Sequence, residues 1–250
     1  MNLILIEPDE LQGREVVLRD RRADHIRKVL RSQVGDTIRL GLLNGPLGTG
    51  TITRLEKKEV ALAVLLGTET PPPPPPLDLI LALPRPIMLK RVLAQATSMG
   101  VSRIFLINAN RVEKSFFTAS QVRDQDFSEP LRLGLEQAVD TRMPQISLHP
   151  RFRPFVEDLL PTLLRDTPCR LLAHPAGKPV SALAALPSPA KGIILAIGPE
   201  GGWVDFELAK FSEQGFATFS MGPRILRVDT AVPALLAQLS LLRQLPSPPR

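Results

Sequence analysis

Two loops in the second half of the chain carry the residues best suited to chemistry. The first, residues 197–203 with the sequence IGPEGGW, combines three glycines and a proline with the carboxylate of Glu200. Glycine lets the main chain approach a ligand closely, and proline stiffens the turn. This glycine loop matches neither a Walker A loop nor the dinucleotide pattern G-x-G-x-x-G. Taken alone, it is as consistent with an unusual turn as with a binding site.

The second loop, residues 221–227 with the sequence MGPRILR, repeats the apolar-Gly-Pro start 24 residues further along. This arginine loop places Arg224 and Arg227 directly after the turn, and Asp229 and Thr230 follow as candidate caps of a last helix. Two arginines beside a loop that bears a carboxylate indicate an anionic substrate next to a cationic or zwitterionic cofactor.

The elements that would position these loops alternate between strand and helix. After residue 78, apolar strand patterns such as LDLILALP and GIILAIG are interleaved with helical patterns such as MLKRVLAQATSMG. This alternation predicts a parallel α/β sheet, on which ligands bind at the carboxyl ends of the strands. Both loops follow predicted strand ends.

Six consecutive prolines divide the chain. Such a run adopts an extended, semi-rigid helix without ladder donors, so it predicts a polyproline linker at 71–77 between domains at 1–70 and 78–250. The first domain shows short β patterns and one helical segment, in which Ile26 shares a face with Val29 and Leu30. We interpret it as a small β-barrel with one helix, either an RNA-binding module or a packing domain.

Composition limits the function classes. The 250 residues carry a formal charge of +6, which favours a polyanionic partner such as nucleic acid, although a merely basic surface gives the same charge. A single cysteine, Cys169, allows no intrachain disulfide. No signal-peptide pattern and no membrane-spanning apolar run are present, so we expect a cytoplasmic protein without a membrane partner. His25, His149, His174 and Cys169 lack zinc-site spacing, so we expect no metal.

Together, the two loops resemble the signature loops of the SPOUT methyltransferases of the RsmE type. HIRKVLR at 25–31, with GD at 35–36 and NG at 44–45, is similar to that family's PUA-like barrel. The resemblance covers nearly the whole chain. It implies an α/β fold with a C-terminal trefoil-knotted domain and a small N-terminal PUA-like β-barrel. It also implies a homodimer that uses S-adenosylmethionine to methylate uridine N3 in small-subunit (16S) ribosomal RNA.

The same resemblance assigns roles to residues. Catalysis is expected from Arg227 or Arg224, which would stabilise charge on the base, while Glu200 positions the base or an arginine. RNA contacts are expected from His25, Arg27, Lys28, Arg31, Arg85 and Arg111. The implied cofactor residues are Leu172, His174, Pro175, Ile197, Gly198, Pro199, Glu200, Gly201, Gly202, Met221, Gly222, Pro223, Ile225 and Leu226.

The sequence departs from the family pattern outside the two loops. LPRPIML at 83–89 stands where the family carries LPKGDKM, SMG at 98–100 replaces ELG, and Asp140 stands at an arginine position. Two alternatives therefore remain. One is a non-catalytic relative that binds RNA or ribosomal subunits, and the other is a methyltransferase for a different RNA nucleotide.

Overall fold

The computed structural model describes residues 2–68, 70, 76–119, 122, 124, 126–165, 167–179 and 192–244. The chain divides into two compact units. Unit 1 comprises Met1–Pro73 and Leu131–Met143, and unit 2 comprises Pro74–Pro130 and Pro144–Arg250. Five prolines of the predicted linker, at 71–75, lie outside the described residues.

Unit 1 is built on a five-stranded sheet with the spatial order β1-β3-β4-β5-β2. All neighbours are antiparallel except β1 and β3. Strands β4 and β5 pair on either side of the charged segment EKKE at 56–59. The strands are β1 (Ile4–Ile6), β2 (Glu15–Leu18), β3 (Thr37–Leu42), β4 (Leu47–Leu55) and β5 (Val60–Leu66). Their inward-facing apolar side chains form one core.

The helix of unit 1 begins as α1 (Arg21–Asp24) and continues as a π-helix over His25–Leu30. The sequence predicts one apolar face containing Ile26, Val29 and Leu30, but the structure buries only Ile26. Val29 is 65% exposed and Leu30 is 46% exposed. The difference arises because π-helical bonding from i to i+5 widens the turn, so later residues leave the face that a 3.6-residue period defines.

Unit 2 contains a six-stranded, fully parallel sheet with the order β11-β9-β10-β6-β7-β8. Its strands are β6 (Leu77–Ala82), β7 (Arg103–Ile107), β8 (Gln145–His149), β9 (Cys169–Pro179), β10 (Ile193–Ile197) and β11 (Ala217–Ser220). Every residue of β6 and β10 is buried, as expected for strands covered on both faces. The predicted α/β class is therefore confirmed.

Helices connect these strands. Within the described residues they are α2 (Pro86–Ser98), α3 (Lys114–Thr118), α4 (Ser128–Ala138), α5 (Leu160–Leu163, preceded by a π-helix over Pro154–Leu159), α6 (Asp205–Glu213) and α7 (Val228–Gln244). None of the helices in the described part of the chain is long and apolar enough to cross a membrane.

The last helix begins earlier than its predicted caps. The carbonyl of Arg227 accepts hydrogen bonds from the amides of Thr230 and Ala231, so the helix already starts at Val228. Asp229 and Thr230 therefore lie in the first turn, and the prediction that they cap the helix is wrong.

Residues 131–143 join unit 1, although they follow the polyproline run. Leu135 packs against Leu3 in a small apolar cluster. Glu136, which is 1% exposed, forms an ion pair with Arg21 at 2.7 Å. The domain boundary predicted at the prolines assigns this segment to the second domain. The prediction differs from the structure here because the helical pattern of α4 does not indicate against which unit its apolar face packs.

Candidate functional site

The carboxyl ends of β9, β10 and β11 surround one cavity that contains about 740 Å³ of space, part of it open to solvent. The sheet order reverses between β6 and β10, because the chain continues from β6 to β7 and β8 on one side while β9, β10 and β11 lie on the other. The cavity is next to this point, on the side of β9, β10 and β11. This is where ligands bind on open parallel sheets. The lining consists of Ala173, His174, Pro175, Ile197, Gly198, Pro199, Glu200, Gly202, Trp203, Phe219, Ser220, Met221, Gly222, Arg224, Ile225, Leu226, Val228, Ala231 and Leu235.

A break in strand register builds one wall of this cavity. Along β11, Thr218 pairs with Leu172, but the next residue, Phe219, pairs with Lys178. The five residues 173–177 are therefore left out of register between two paired stretches of β9. Three of them line the cavity: Ala173, His174 and Pro175.

The glycine loop forms a second wall and is packed against the indole of Trp203. A Cβ atom at Gly198 would lie 2.9 Å from two atoms of that ring, a distance that real Cβ contacts do not show. Trp203 is 5% exposed and meets Phe211 edge-on, with ring centroids 5.2 Å apart. Glycine at 198 is thus required for the loop to lie flat on the tryptophan, which packs on its own unit.

Two arginines hold the opposite side of the glycine loop. Arg85, at the end of the segment after β6, places Nε 3.0 Å from Oε2 of Glu200. Arg111, in the segment after β7, donates a hydrogen bond to the carbonyl of Gly201, and its side chain lies directly beneath that glycine. Because both ion-paired groups are more than a third exposed, the Arg85–Glu200 pair adds little stability, and its main effect is to orient the carboxylate.

A buried carboxylate fixes the same region from within. Glu207, which is 2% exposed, accepts the amide hydrogens of Asn110 at 2.7 Å and Val204 at 3.0 Å. These bonds join the segment that carries Arg111 to the end of the glycine loop. Sequence reasoning missed this residue, because an acidic residue in the first turn of a helix is ordinarily a surface feature.

The arginine loop is held mainly at its start. The hydroxyl of Ser220 donates to the carbonyl of Gly222 at 3.0 Å and accepts from its amide at 3.2 Å, and Gly222 has a φ of +133° that side chains rarely adopt. Beyond this turn, Ile225 is 83% exposed. Arg224 lines the cavity, whereas Arg227 is exposed outside it and contributes its carbonyl to the start of α7.

Comparison with known proteins decides the family. The family described as RNA methyltransferase domain matches residues 71–240, and that described as RNA methyltransferase PUA domain matches residues 18–65. The chain belongs to the RNA methyltransferase family. The sequence resemblance is confirmed, and the α/β unit and the β unit of this methyltransferase correspond to its two matched parts.

Individual relatives match over nearly the full chain. Ribosomal RNA small subunit methyltransferase E of Treponema pallidum (strain Nichols) is 32% identical over 240 residues, covering 95% of this chain and 90% of the relative. The protein of the same name from Synechocystis is 28% identical, covering 96% and 77%. The crystal structure of a Ribosomal RNA small subunit methyltransferase E from Neisseria gonorrhoeae bound to S-adenosyl methionine has a TM-score of 0.76 at 25% identity, covering 97% of this chain and 98% of that one.

The structure brings most residues of the predicted cofactor set to the cavity wall of this methyltransferase; those outside are Leu172, Gly201 and Pro223. Leu172 lies inside the sheet, and Gly201 faces Arg111 on the other side of the loop. Of the predicted catalytic residues, Glu200 and Arg224 line the cavity and Arg227 does not. The sequence did not single out the first two turns of α7, although they supply part of the lining.

The RNA contacts predicted in unit 1 lie in different environments. Lys28 and Arg31 are exposed, and Lys28 forms an ion pair with Asp24 at 3.2 Å. Arg27 is half-buried and donates to a main-chain carbonyl of the β4–β5 turn. The ring of His25 is half-buried, with Nε2 enclosed.

Proposed function

We propose that this RNA methyltransferase transfers the methyl group of S-adenosylmethionine to N3 of a uridine in small-subunit (16S) ribosomal RNA. The observation that carries the proposal is the cavity at the ends of β9, β10 and β11, formed by a chain that is similar over 95% of its length to a Ribosomal RNA small subunit methyltransferase E. A ribosomal substrate also agrees with the formal charge of +6. For a protein with this substrate we propose a cytoplasmic location.

The cavity residues fit S-adenosylmethionine. Gly198 and Gly222 bring main chain to the cavity wall without side chains, so an adenosyl group can approach the backbone closely. Apolar side chains of Ile197, Val228 and Leu235 suit the flat faces of the adenine ring. The similar structure from Neisseria gonorrhoeae is bound to this cofactor.

The chemistry required of the protein is alignment and charge stabilisation. The bound cofactor supplies a methyl group on a sulfonium, which is already electrophilic. The uridine N3 must lose its proton, and the negative charge that results spreads over the base carbonyls, where guanidinium groups stabilise it. We assign this role to Arg227, which is exposed to RNA beside the cavity, while Arg224 at the cavity wall binds the anionic groups of the cofactor or the RNA.

Three further features belong to this proposal. The polyproline linker at 71–77 separates an RNA-binding domain at 1–70, to which the segment 131–143 is added, from a catalytic domain in the rest of 78–250. The α/β unit forms the trefoil knot that the family resemblance implies. The protein is a homodimer, which the exposed side chains of Ile87 at 84% and Ile225 at 83% support. The ion pair between Arg91 and Asp229 at 3.6 Å joins α2, which carries Ile87, to α7, which follows Ile225.

The test is methyl transfer from labelled S-adenosylmethionine to unmodified small ribosomal subunits and to bare 16S RNA. Modified nucleosides are then identified by mass spectrometry, with subunits already methylated by the same enzyme as the matched control. The proposal is supported if N3-methyluridine forms in the unmodified substrates and no further methyl group is transferred to the control subunits. A different methylated nucleoside establishes the alternative target, and cofactor binding without transfer to either substrate contradicts the assigned substrate. Absence of both binding and transfer favours a non-catalytic RNA-binding relative.

A further inference from the structure

A second cavity of about 460 Å³ lies on the other side of the glycine loop from the cofactor cavity. It opens where the segments after β6, β7 and β10 meet. Its polar and aromatic lining comes from Arg85, Arg111, Glu113, Phe116 and Glu200. The two cavities share only the wall formed by Pro199 and Glu200, so a group bound in one lies next to a group bound in the other.

The lining of the second cavity suits a planar ring with carbonyl groups. Phe116, half-buried in α3, offers a face for stacking, which is how proteins hold unpaired RNA bases. The guanidinium group of Arg111 supplies donors for ring carbonyls. A pyrimidine taken out of its stack meets these requirements.

Glu200 is the one carboxylate that lines both cavities within the described residues. Arg85 holds one of its oxygens, Oε2, at 3.0 Å, and Arg111 holds the neighbouring carbonyl of Gly201. The second oxygen, Oε1, is left to accept a proton from a group between the cavities. A carboxylate fixed in this way has the geometry that general-base catalysis requires.

We propose that the second cavity holds the target base and that Glu200 accepts its N3 proton; this rests on the proposed function. N3 gains the methyl group that S-adenosylmethionine loses, as the S–CH3 bond breaks and the N–CH3 bond forms. The N3 proton goes to Oε1 of Glu200, which later returns it to water. The products are the N3-methylated base and S-adenosylhomocysteine. Arg85 is a positioning residue, since it acts by orienting this carboxylate.

The experiment compares Glu200→Gln with Glu213→Gln, a loss of a carboxylate from an exposed position that lines neither cavity. The substrates are reconstituted small subunits whose RNA carries either uridine or 5-fluorouridine, because fluorine makes the N3 proton more acidic. On uridine, Glu200→Gln is expected to slow single-turnover transfer by about 10²–10⁴-fold, and on 5-fluorouridine this factor is expected to shrink by at least about tenfold. Glu213→Gln is expected to match the unmodified protein on both substrates.

Binding measurements separate proton transfer from loss of structure. Both glutamine variants are expected to keep their S-adenosylmethionine affinity in calorimetry. Phe116→Ala is expected to weaken binding of an RNA fragment containing the target by roughly 5- to 150-fold in filter binding, without changing cofactor affinity.

Three outcomes would overturn the proposal. The first is an equal loss of transfer rate on uridine and 5-fluorouridine in Glu200→Gln, and the second is full activity of that variant. The third is unchanged RNA affinity in Phe116→Ala. Absence of N3-methyluridine with the unmodified protein would instead contradict the proposed function itself.

Discussion

The glycine loop and the arginine loop start alike but are held differently. Each begins with an apolar residue, glycine and proline at the end of a parallel strand. The glycine loop is fixed by Trp203 on one face and by Arg85 and Arg111 on the other. The arginine loop is tied at its first turn by Ser220, and its middle is exposed.

This difference indicates a division of labour. A binding wall that is already fixed costs little ordering when a ligand arrives, which suits the cofactor. An exposed loop with two arginines and an exposed isoleucine has surface available for RNA and for a second subunit. Substitutions that disturb the packing of the glycine loop should therefore affect stability and cofactor affinity, while those in the exposed part of the arginine loop should affect catalysis and assembly.

Among the substitutions that test this comparison of the two loops, the largest effect is expected in the arginine loop. Arg227→Ala should lower the rate of methyl transfer by about 10²–10³-fold, because it removes a charge that stabilises the deprotonated base. The melting temperature and the S-adenosylmethionine affinity should stay unchanged, as checked by calorimetry. Arg224→Ala is the comparison, and it should weaken cofactor affinity as well as rate, since Arg224 lines the cavity. Full transfer by Arg227→Ala would refute its assigned role.

The next largest effect tests how firmly the glycine loop is fixed. Glu207→Ala should lower the free energy of unfolding by about 2–4 kcal/mol, because it removes a buried, charged acceptor of two hydrogen bonds, those from the amides of Asn110 and Val204. Glu213→Ala removes a carboxylate from the end of the same helix, where the side chain is 58% exposed, and should change stability by less than about 0.5 kcal/mol. Chemical denaturation measures both, and similar losses in the two variants would show that Glu207 is not an anchor.

A smaller effect distinguishes the two glycines that open the loops. Gly198→Ala should cost about 1–3 kcal/mol and lower cofactor affinity, because the new Cβ displaces the indole of Trp203. Gly222→Ala meets nothing within 4 Å and should cost about 1–2 kcal/mol through its positive φ alone. Trp203 is the single tryptophan of the sequence, so its fluorescence should shift in the first variant only. A shift in both would indicate that the loops are coupled.

The sequence predicts those parts of the fold that depend on residues close together in the chain. Buried parallel strands such as β6 and β10 read as continuous apolar runs, and the two Gly-Pro turns stand out because their composition is unusual. The short strand β8 was missed, although QISLH alternates between polar and apolar residues, since it is only five residues long and lies between two prolines.

What the sequence does not predict depends on contacts between distant segments. The pairing of Arg85 with Glu200, the anchoring of Asn110 by Glu207, and the register break that exposes residues 173–177 all arise only when the sheet is assembled. Local patterns identify residues that can do chemistry, but the second cavity appears only after β6, β7 and β10 are placed side by side.

A substitution in the middle of the arginine loop is expected to have the smallest effect on the stability of the monomer. Its effect on dimer assembly is expected to be larger. Ile225→Ser should leave the free energy of unfolding of the monomer within about 0.5 kcal/mol, because the side chain is 83% exposed. If Ile225 is buried between subunits, the dimer dissociation constant should rise by about tenfold or more, since burial of an isoleucine contributes about 1.5–3 kcal/mol. Leu65→Ser, at a position in β5 that is 67% exposed, is the matched control and should leave assembly unchanged. Analytical ultracentrifugation decides the matter: equal dissociation constants for the two variants would remove the arginine loop from the dimer interface and leave it to RNA alone.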